Sequence, residues 1–433
     1  MTDWTDLAPG DDALLDDRIR GFPTGHAALR ASEVGGRGWR PQDGRMALPL
    51  LSLDLDGFAA NTDLFLRHVA GAGALIAPHV KTPMSATLAR RLAEAGAWGM
   101  TVANPQQASV MLAAGIERLI LANEVGGLAG ARRLAALMRR YPGVELHVWV
   151  DSQVGAEALV QAWSEAAGEG AAMPRLGLMV ELGTDRAGLR DAGAAMALAD
   201  RVVALSNDLV TASGIATYEG ASMTADHDES LARIDALLAR VAEVHAHLCA
   251  RTGRGEELIL TAGGSLWFDR VLALLGPAAR ATGSRLVLRS GAVFFHDEGL
   301  YERGIAHLRA RGGHPEGELR PTLRLWAQVQ SRPADDLAII GFGMRDAAID
   351  QGLPMPVQLW RDGRPVPGAE AMTVRRLNDQ HAFVALAAGA EVAIGDVVEF
   401  GLSHPCTNLD RHAVIWGLGP DHEVRAALPT SFG

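Results

Sequence analysis

Lys81 is the only lysine in a chain of 433 residues, so every other basic side chain among its 40 lysines and arginines is an arginine. A guanidinium stays protonated, whereas a desolvated lysine amine can lose its proton and attack a carbonyl to form a Schiff base. The lone lysine in Ala77-Pro78-His79-Val80-Lys81-Thr82-Pro83 therefore points to covalent attachment of an aldehyde cofactor, pyridoxal phosphate. The alternative is an arginine-biased sequence in which one lysine survived by chance. A second pattern is Ser403-His404-Pro405-Cys406. Residues i and i+2 of an extended chain share a face, so the His404 imidazole and the Cys406 thiolate could converge on one Zn²⁺ with positions left open for water or substrate. Its plainer reading is a buried histidine beside an unreactive cysteine.

The rest of the composition narrows what such groups could act on. Hydrophobic residues at 48% and charged residues at 21% describe an ordinary soluble globular chain, long enough for two or three domains. The net charge is −11 and no dense basic run occurs, which argues against a nucleic-acid surface and for a small-molecule substrate. The N-terminus MTDWTDLAPGDDALLDD is acidic and lacks the features of a signal peptide, and no apolar stretch is long enough to span a bilayer, so a cytoplasmic location is expected. Two cysteines give no disulfide framework, and Cys249, in the helical run HAHLCA, reads as core filler.

The elements that must position Lys81 follow from periodicity. Residues 1–45 are acidic, then rich in Gly and Arg, and read as an N-terminal extension packing on the β domain. From Leu48 onward short apolar runs alternate with segments of helical period such as SATLARRLAEAGA and GARRLAALMRRY. The expected strands are Leu48–Asp56, Leu75–Thr82, Trp98–Ala103, Glu117–Asn123, Val144–Ser152, Arg175–Gly183, Thr211–Glu219 and Glu256–Gly264. Eight strand–helix units predict an α/β fold, an N-terminal (β/α)₈ TIM-like barrel over residues 46–284. Residues 285–433 read as an all-β C-terminal domain carrying the His-Pro-Cys pattern.

Barrel chemistry sits at the C-terminal ends of the strands, where this reading places Lys81 after the second strand. The same edge receives Asn123, Thr184-Asp185-Arg186, Tyr218 and Gly263-Gly264-Ser265. A Gly-Gly turn opening a helix after the last strand offers backbone N–H groups and a positive helix end to a phosphate. Tyr218 would contact a cofactor ring or simply pack in the core. Arg186 would bind phosphate or substrate carboxylate, or pair with Glu219 or Asp185. His79 shares a face with Lys81 and would pack on the cofactor or fill the barrel. His296, Asp297 and Tyr301 follow a strand and would either reach the site or stay structural.

Taken together, Ala77–Thr82, the Gly-Ala-Trp-Gly-Met-Thr-Val-Ala type of run after it, Ile215–Gly220, Gly263-Gly264-Ser265, Ser290-Gly291-Ala292 and Ser403–Cys406 resemble the D-serine dehydratase and D-threonine aldolase family. These are pyridoxal phosphate enzymes of the alanine racemase-like fold type, and the resemblance runs from about residue 46 to 420. It implies that Lys81 is the Schiff-base lysine, Tyr218 a neighbour of the pyridine ring and Gly263–Gly264 the phosphate turn. It also implies that His404 and Cys406 are zinc ligands and that the chain forms a homodimer. The His-x-Cys pair resembles the dehydratase branch, which eliminates water from a D-3-hydroxy amino acid; the aldolase branch carries an Asp there. Pro83, where many relatives have a histidine, is similar to a bacterial group of amino acid deaminases.

Overall fold

The computed structural model describes residues 4–432 apart from 169 and 171. Its centre is a ring of eight parallel strands: Leu75–Ile76, Met100–Val102, Arg118–Leu121, Glu145–Val150, Leu176–Leu182, Val210–Thr217, Ile259–Ala262 and Arg285–Leu288. The last of these pairs with the first, Val287 with Leu75 and Leu288 with Ile76. The ring closes where the chain beyond Ile76 runs beside Thr101, whose N–H donates to Pro78 O at 2.9 Å while Val80 N–H donates to Thr101 O at 2.9 Å. Pro78 has no N–H to give a ladder, so the first strand is regular over only two residues.

The interior of the ring is packed by Ala77, Ile120, Trp149, Met179, Ala216, Ile259 and Val287. Side chains alternate along a strand, so the positions two residues further on face the same interior one layer nearer the C-terminal mouth. Those positions are occupied by His79, Ala122, Glu181, Tyr218, Thr261 and Arg289 among others. A charged and aromatic layer therefore sits on an apolar plug.

Two strands exchange places relative to the sequence expectation. Leu50–Asp54 is not a barrel strand: it pairs antiparallel with Leu323–Ala334 and parallel with Val414–Leu418 in the C-terminal β domain. Arg285–Leu288, expected in the β domain, is the eighth barrel strand. The physical reason is that an apolar run buried on both faces looks the same in a barrel and in a sandwich. Leu51 and Leu53 face the main core while Leu50 packs with the tryptophans of the β domain, so both faces are buried. In consequence Lys81 follows the first barrel strand rather than the second, and Gly263 follows the seventh rather than the last. A helix, Leu300–Ala310, also persists beyond residue 284.

The β domain is built on Leu323–Ala334, which bonds Leu50–Asp54 on one side and Val397–Gly401 on the other. Residues of the N-terminal extension close its outer face: Leu15, Phe22, Val34 and Trp39 share a cluster with Trp326, Trp416 and Val424. The indole of Trp416 donates to Arg20 O at 2.9 Å, and its ring meets that of Trp39 edge-on at 6.3 Å. The extension also touches the barrel, where Asp11 Oδ2 accepts from Thr87 N at 2.8 Å and Thr87 Oγ1 at 2.7 Å. No helix among the described residues is long and apolar enough to cross a membrane.

Candidate active site

A cavity of about 640 Å³ lies between the barrel mouth and the β domain. Its lining includes His79, Lys81, Arg186, Tyr218, Gly263, Gly264, Ser265, His404 and Cys406, but not Asn123, Thr184 or Asp185, which the sequence placed at the same edge. Lys81 is exposed to this space within a turn, closed by Met84 N–H donating to Val80 O at 2.9 Å. The preceding segment is clamped on both sides, because His79 N–H donates to Arg289 O at 3.1 Å opposite the Thr101 ladder. The lysine backbone is thus held by two barrel strands while its side chain stays free.

The imidazole of His79 is held well below its ordinary pKa, first by burial and then by the cations Lys81, Arg289 and Arg186, so it is neutral. Arg289, at the end of the eighth strand, is buried; it donates to Thr261 Oγ1 and to Thr217 O, both at 2.6 Å, and lies 4.7 Å over the Trp149 ring. Burial lowers its guanidinium to about 10, which leaves it charged at neutral pH. Arg186 pairs with Glu181 at 3.5 Å, not with Asp185 or Glu219, and sits 5.0 Å over the Tyr218 ring. Asp185 instead bonds Arg233. Burial, followed by the nearby carboxyl of Glu124, lifts Glu181 to about 8.

The Gly263–Gly264 turn has its own anion. Both glycine N–H groups donate to the buried carboxylate of Glu219, Gly263 at 3.0 Å. Gly263 has φ +114°, a conformation that favours glycine, and a side chain on Gly264 would stand tightly, 3.2 Å from the Tyr218 ring and 3.3 Å from Glu219 Oε1. Beside this turn Ser290 Oγ donates to Gly264 O at 3.1 Å and Val293 N–H to Ser265 Oγ at 3.3 Å, joining the loops after the seventh and eighth strands. A Cβ on Gly291 would stand 2.3 Å from His79 O, which makes that close approach glycine-dependent too. The N–H groups of Ser265, Gly291 and Ala292 have no acceptor among the described residues. Free amide donors at two adjoining loops and a helix start at Phe268 fit a phosphate, and the exposed Lys81 amine and Tyr218 phenol fit the ring of pyridoxal phosphate.

From the β domain come His404 and Cys406, at the start of the helix Pro405–Leu409. His404 Nδ1 hydrogen-bonds Asp350 Oδ2 at 2.6 Å, and Thr407 Oγ1 donates to Asp350 Oδ1 at 2.8 Å. The carboxylate fixes the ring and leaves Nε2 for a ligand, the arrangement that orients metal-binding histidines. Burial works against a charge on His404, but Cys406 and Asp350 outweigh it and lift the imidazole to about 9. Cys406 Sγ lies 3.2 Å from Thr82 Oγ1, next to Lys81. Among the described residues no group of three or more His, Cys, Asp or Glu is placed to hold a metal. The donor set therefore fits an open two-ligand site with borderline-soft N and S atoms, suited to zinc, and not a closed structural one.

Sequence reasoning missed Arg289, Glu181, Glu219 and Asp350. Arg289 was hidden by assigning its strand to the β domain, although Arg289-Ser290-Gly291 ends a strand much as Ala262-Gly263-Gly264 does. Tyr301 lines the cavity, whereas His296 and Asp297 are buried outside the lining, Asp297 accepting from Gly299 N and Tyr301 N at 2.7 and 2.9 Å.

Comparison with known proteins agrees with this geometry. Residues 53–256 match the alanine racemase N-terminal domain and residues 322–417 a putative serine dehydratase domain. The chain is 27% identical over 377 residues to a D-threonine aldolase of Arthrobacter sp, covering 86% of this chain and 89% of that one. The crystal structure of D-threonine aldolase from Filomicrobium marinum superposes with a TM-score of 0.70 at 24% identity, over 89% of this chain and 95% of that one. D-threo-3-hydroxyaspartate dehydratase from Delftia sp. HT23 gives 0.65 at 22% identity, over 89% and 97%. Mutants of that dehydratase replace a histidine and, two residues later, a cysteine with alanine, and the cysteine mutant is described in the metal-free form. Barrel, β domain and mouth lysine define an alanine racemase-like, fold type III pyridoxal phosphate enzyme. Within that class the chain is similar to lyases that act on D-amino acids, D-threonine aldolase and D-threo-3-hydroxyaspartate dehydratase among them.

Proposed function

We propose that this protein is a pyridoxal phosphate- and zinc-dependent lyase that removes water from a D-3-hydroxy amino acid of the D-serine type, giving a keto acid and ammonia. The observation that carries this reading is that Lys81 from the barrel and the His404–Cys406 pair from the β domain line one cavity. The histidine–cysteine spacing is also that of the two mutated residues in the Delftia dehydratase.

In this scheme Lys81 is the attachment point, Tyr218 and His79 flank the ring, and the amides of Ser265, Gly291 and Ala292 receive the phosphate. Bound there, pyridoxal phosphate supplies an electron sink for a carbanion at Cα. Lys81 Nζ takes the Cα proton, a role open to an amine and closed to a guanidinium. His79, kept neutral, does not compete for the phosphate or substrate carboxylate as a cation. Arg186, turned toward the cavity over Tyr218, is the cation available to an anionic group of cofactor or substrate. His404 and Cys406 would hold the metal ion, whose Lewis acidity makes the β-hydroxyl a better leaving group. Asp350 keeps His404 turned to that task.

A second reading, retro-aldol cleavage to an amino acid and an aldehyde, is favoured by the extent of the match to the Arthrobacter aldolase. A product assay on the purified protein with both cofactors separates them. Ammonia with a keto acid from D-serine or D-threonine supports dehydration; glycine with an aldehyde assigns the aldolase reaction and refutes dehydration.

A further inference from the structure

The helix Ala86–Glu94 follows the Lys81 turn directly, and its first turn is not capped from within. Ser85 stands at the capping position, yet its side chain makes no cap bond and its buried hydroxyl has no partner among the described residues. Met84, between the lysine turn and that position, has φ +41°, a left-handed conformation that a bulky residue keeps only where its surroundings hold it. Such a turn needs a fixed point at each end. Before Lys81 the fixed point is the barrel ladder through His79 and Val80; after it, the helix.

The cap comes from the N-terminal extension. Asp11 is buried, and its Oδ2 accepts both Thr87 N–H at 2.8 Å and Thr87 Oγ1 at 2.7 Å, while Ala8 N–H donates to Thr87 Oγ1 at 2.9 Å. Asp11 N–H donating to Ala8 O at 3.0 Å closes the turn that presents both groups. Ala8 packs with Ala86 and Ala114, and further along the helix Arg90 and Arg91 donate to Asp6 O at 2.7 and 2.9 Å. Trp4 ends this strap, edge-on to Phe58 at 6.5 Å with Arg91 5.8 Å over its ring. A helix N–H that would otherwise be orphaned is thus satisfied by a carboxylate 76 residues away, which ties the helix start, and the turn before it, to one place.

We propose that Asp11 is a positioning residue for Lys81: the N-terminal strap caps the helix behind the lysine turn and so holds the amine where an aldehyde can reach it. The inference rests on the reading of Lys81 as the attachment group. The test compares full-length Asp11→Ala and Asp11→Asn with the parent, and Val34→Ala in the tryptophan cluster of the β domain serves as a destabilising control. Hydrogen exchange of the apoproteins should show amides 84–90 of D11A opening roughly 10-fold more readily, the effect of a lost cap, with the far barrel strands unchanged. Both bonds from Thr87 converge on one oxygen, so the carbonyl of asparagine can accept both and D11N should restore the parent pattern. Mixed with pyridoxal phosphate, D11A should develop the lysine-bound absorption at least roughly 10-fold more slowly, because orientation rather than affinity is what the strap supplies. Deoxypyridoxine phosphate, which lacks the aldehyde, should still bind D11A within about twofold of the parent, read by quenching of Trp149 and Trp267 in the cavity. Unchanged exchange and attachment in D11A, the same losses in V34A, or loss of analogue binding together with attachment overturns the proposal. Should D11A fail to fold, Thr87→Val, which loses the hydroxyl but keeps the amide bond, reads the same effect in milder form, and parent-like exchange and attachment there overturn it equally. Should the parent form no lysine-bound absorption, the attachment reading falls by itself, and the exchange data still decide whether Asp11 holds the turn.

Discussion

Glu219→Gln tests whether the glycine turn is built around a carboxylate. In the native chain one buried carboxylate accepts the N–H of Gly263 at 3.0 Å and the N–H of Gly264. Each is a charge-assisted bond worth about 1.5–3 kcal/mol. The amide of glutamine keeps the shape but offers one acceptor oxygen. Its NH₂ end then meets the other glycine N–H donor to donor, leaving a buried donor unpaired at a cost of about 1–3 kcal/mol. Losing the charge from the bond that survives adds about 1 kcal/mol. The expected destabilisation is therefore about 2–4 kcal/mol, read by urea unfolding of the apoprotein, and about 1 °C in Tm for each kcal/mol in a chain of this length. Because the turn and the Ser290–Ala292 loop are joined through Ser290, the cofactor should also bind more weakly in a titration of its absorbance. A variant within about 0.5 kcal/mol of the parent, with unchanged cofactor affinity, would refute the reasoning. It would mean that the turn holds its shape without the acceptor.

Lys81→Ala should abolish the protein-bound cofactor absorption and reduce turnover by at least about 10³-fold, whereas an ordinary surface lysine would leave both within about twofold. Asp350→Asn should weaken zinc affinity about 10–100-fold, measured by competition with a chromophoric chelator, with little change in fold by circular dichroism. Stripping zinc with a chelator should stop product formation and its return should restore it; turnover that persists in the stripped protein removes the metal from the reaction. Glu181 carries a folded-state pKa of about 8 against an ordinary 4.5, so the folded chain binds this proton more tightly than the unfolded one. Its contribution is present below about pH 4.5 and declines by a few kcal/mol as pH rises toward 8. Urea unfolding from pH 4.5 to 8.5 should show that decline, and Glu181→Gln should flatten it; an unchanged slope in E181Q would assign it elsewhere.

How much of this was legible in the sequence depends on which residues are asked about. Lys81 was visible because composition singles it out, and His404 and Cys406 because their spacing has a chemical meaning whatever the fold. The barrel was visible because eight helical segments separate apolar runs of strand length. The membership of two strands was not, since Leu50–Asp54 and Arg285–Leu288 are both apolar on both faces, and only partner strands distinguish a sheet from a ring. Glu219 and Asp350 were not legible for a different reason. Their meaning lies wholly in what they touch, two glycine amides 44 and 45 residues away and a histidine 54 residues away. A carboxylate in a loop carries no pattern that announces a long-range acceptor.

The exchanged strand explains why the two halves of the site can be held at one distance. If Leu50–Asp54 belonged to the barrel, the link between barrel and β domain would be a loop after residue 284, and the lysine and the His–Cys pair could drift apart. Instead the chain begins in the β domain, paired to Leu323–Ala334 and Val414–Leu418, and enters the barrel through the helix Leu55–Gly71, which leads directly to the strand before Lys81. The β domain returns through Ser431, bonded to Met84 just beyond that lysine. Thr82 Oγ1 then meets Cys406 Sγ at 3.2 Å across the junction. Lys81 and the His404–Cys406 pair are thus fixed by two covalent crossings and a backbone bond, which is what the proposed reaction needs, since it removes a proton at Cα and a group at Cβ on adjacent carbons.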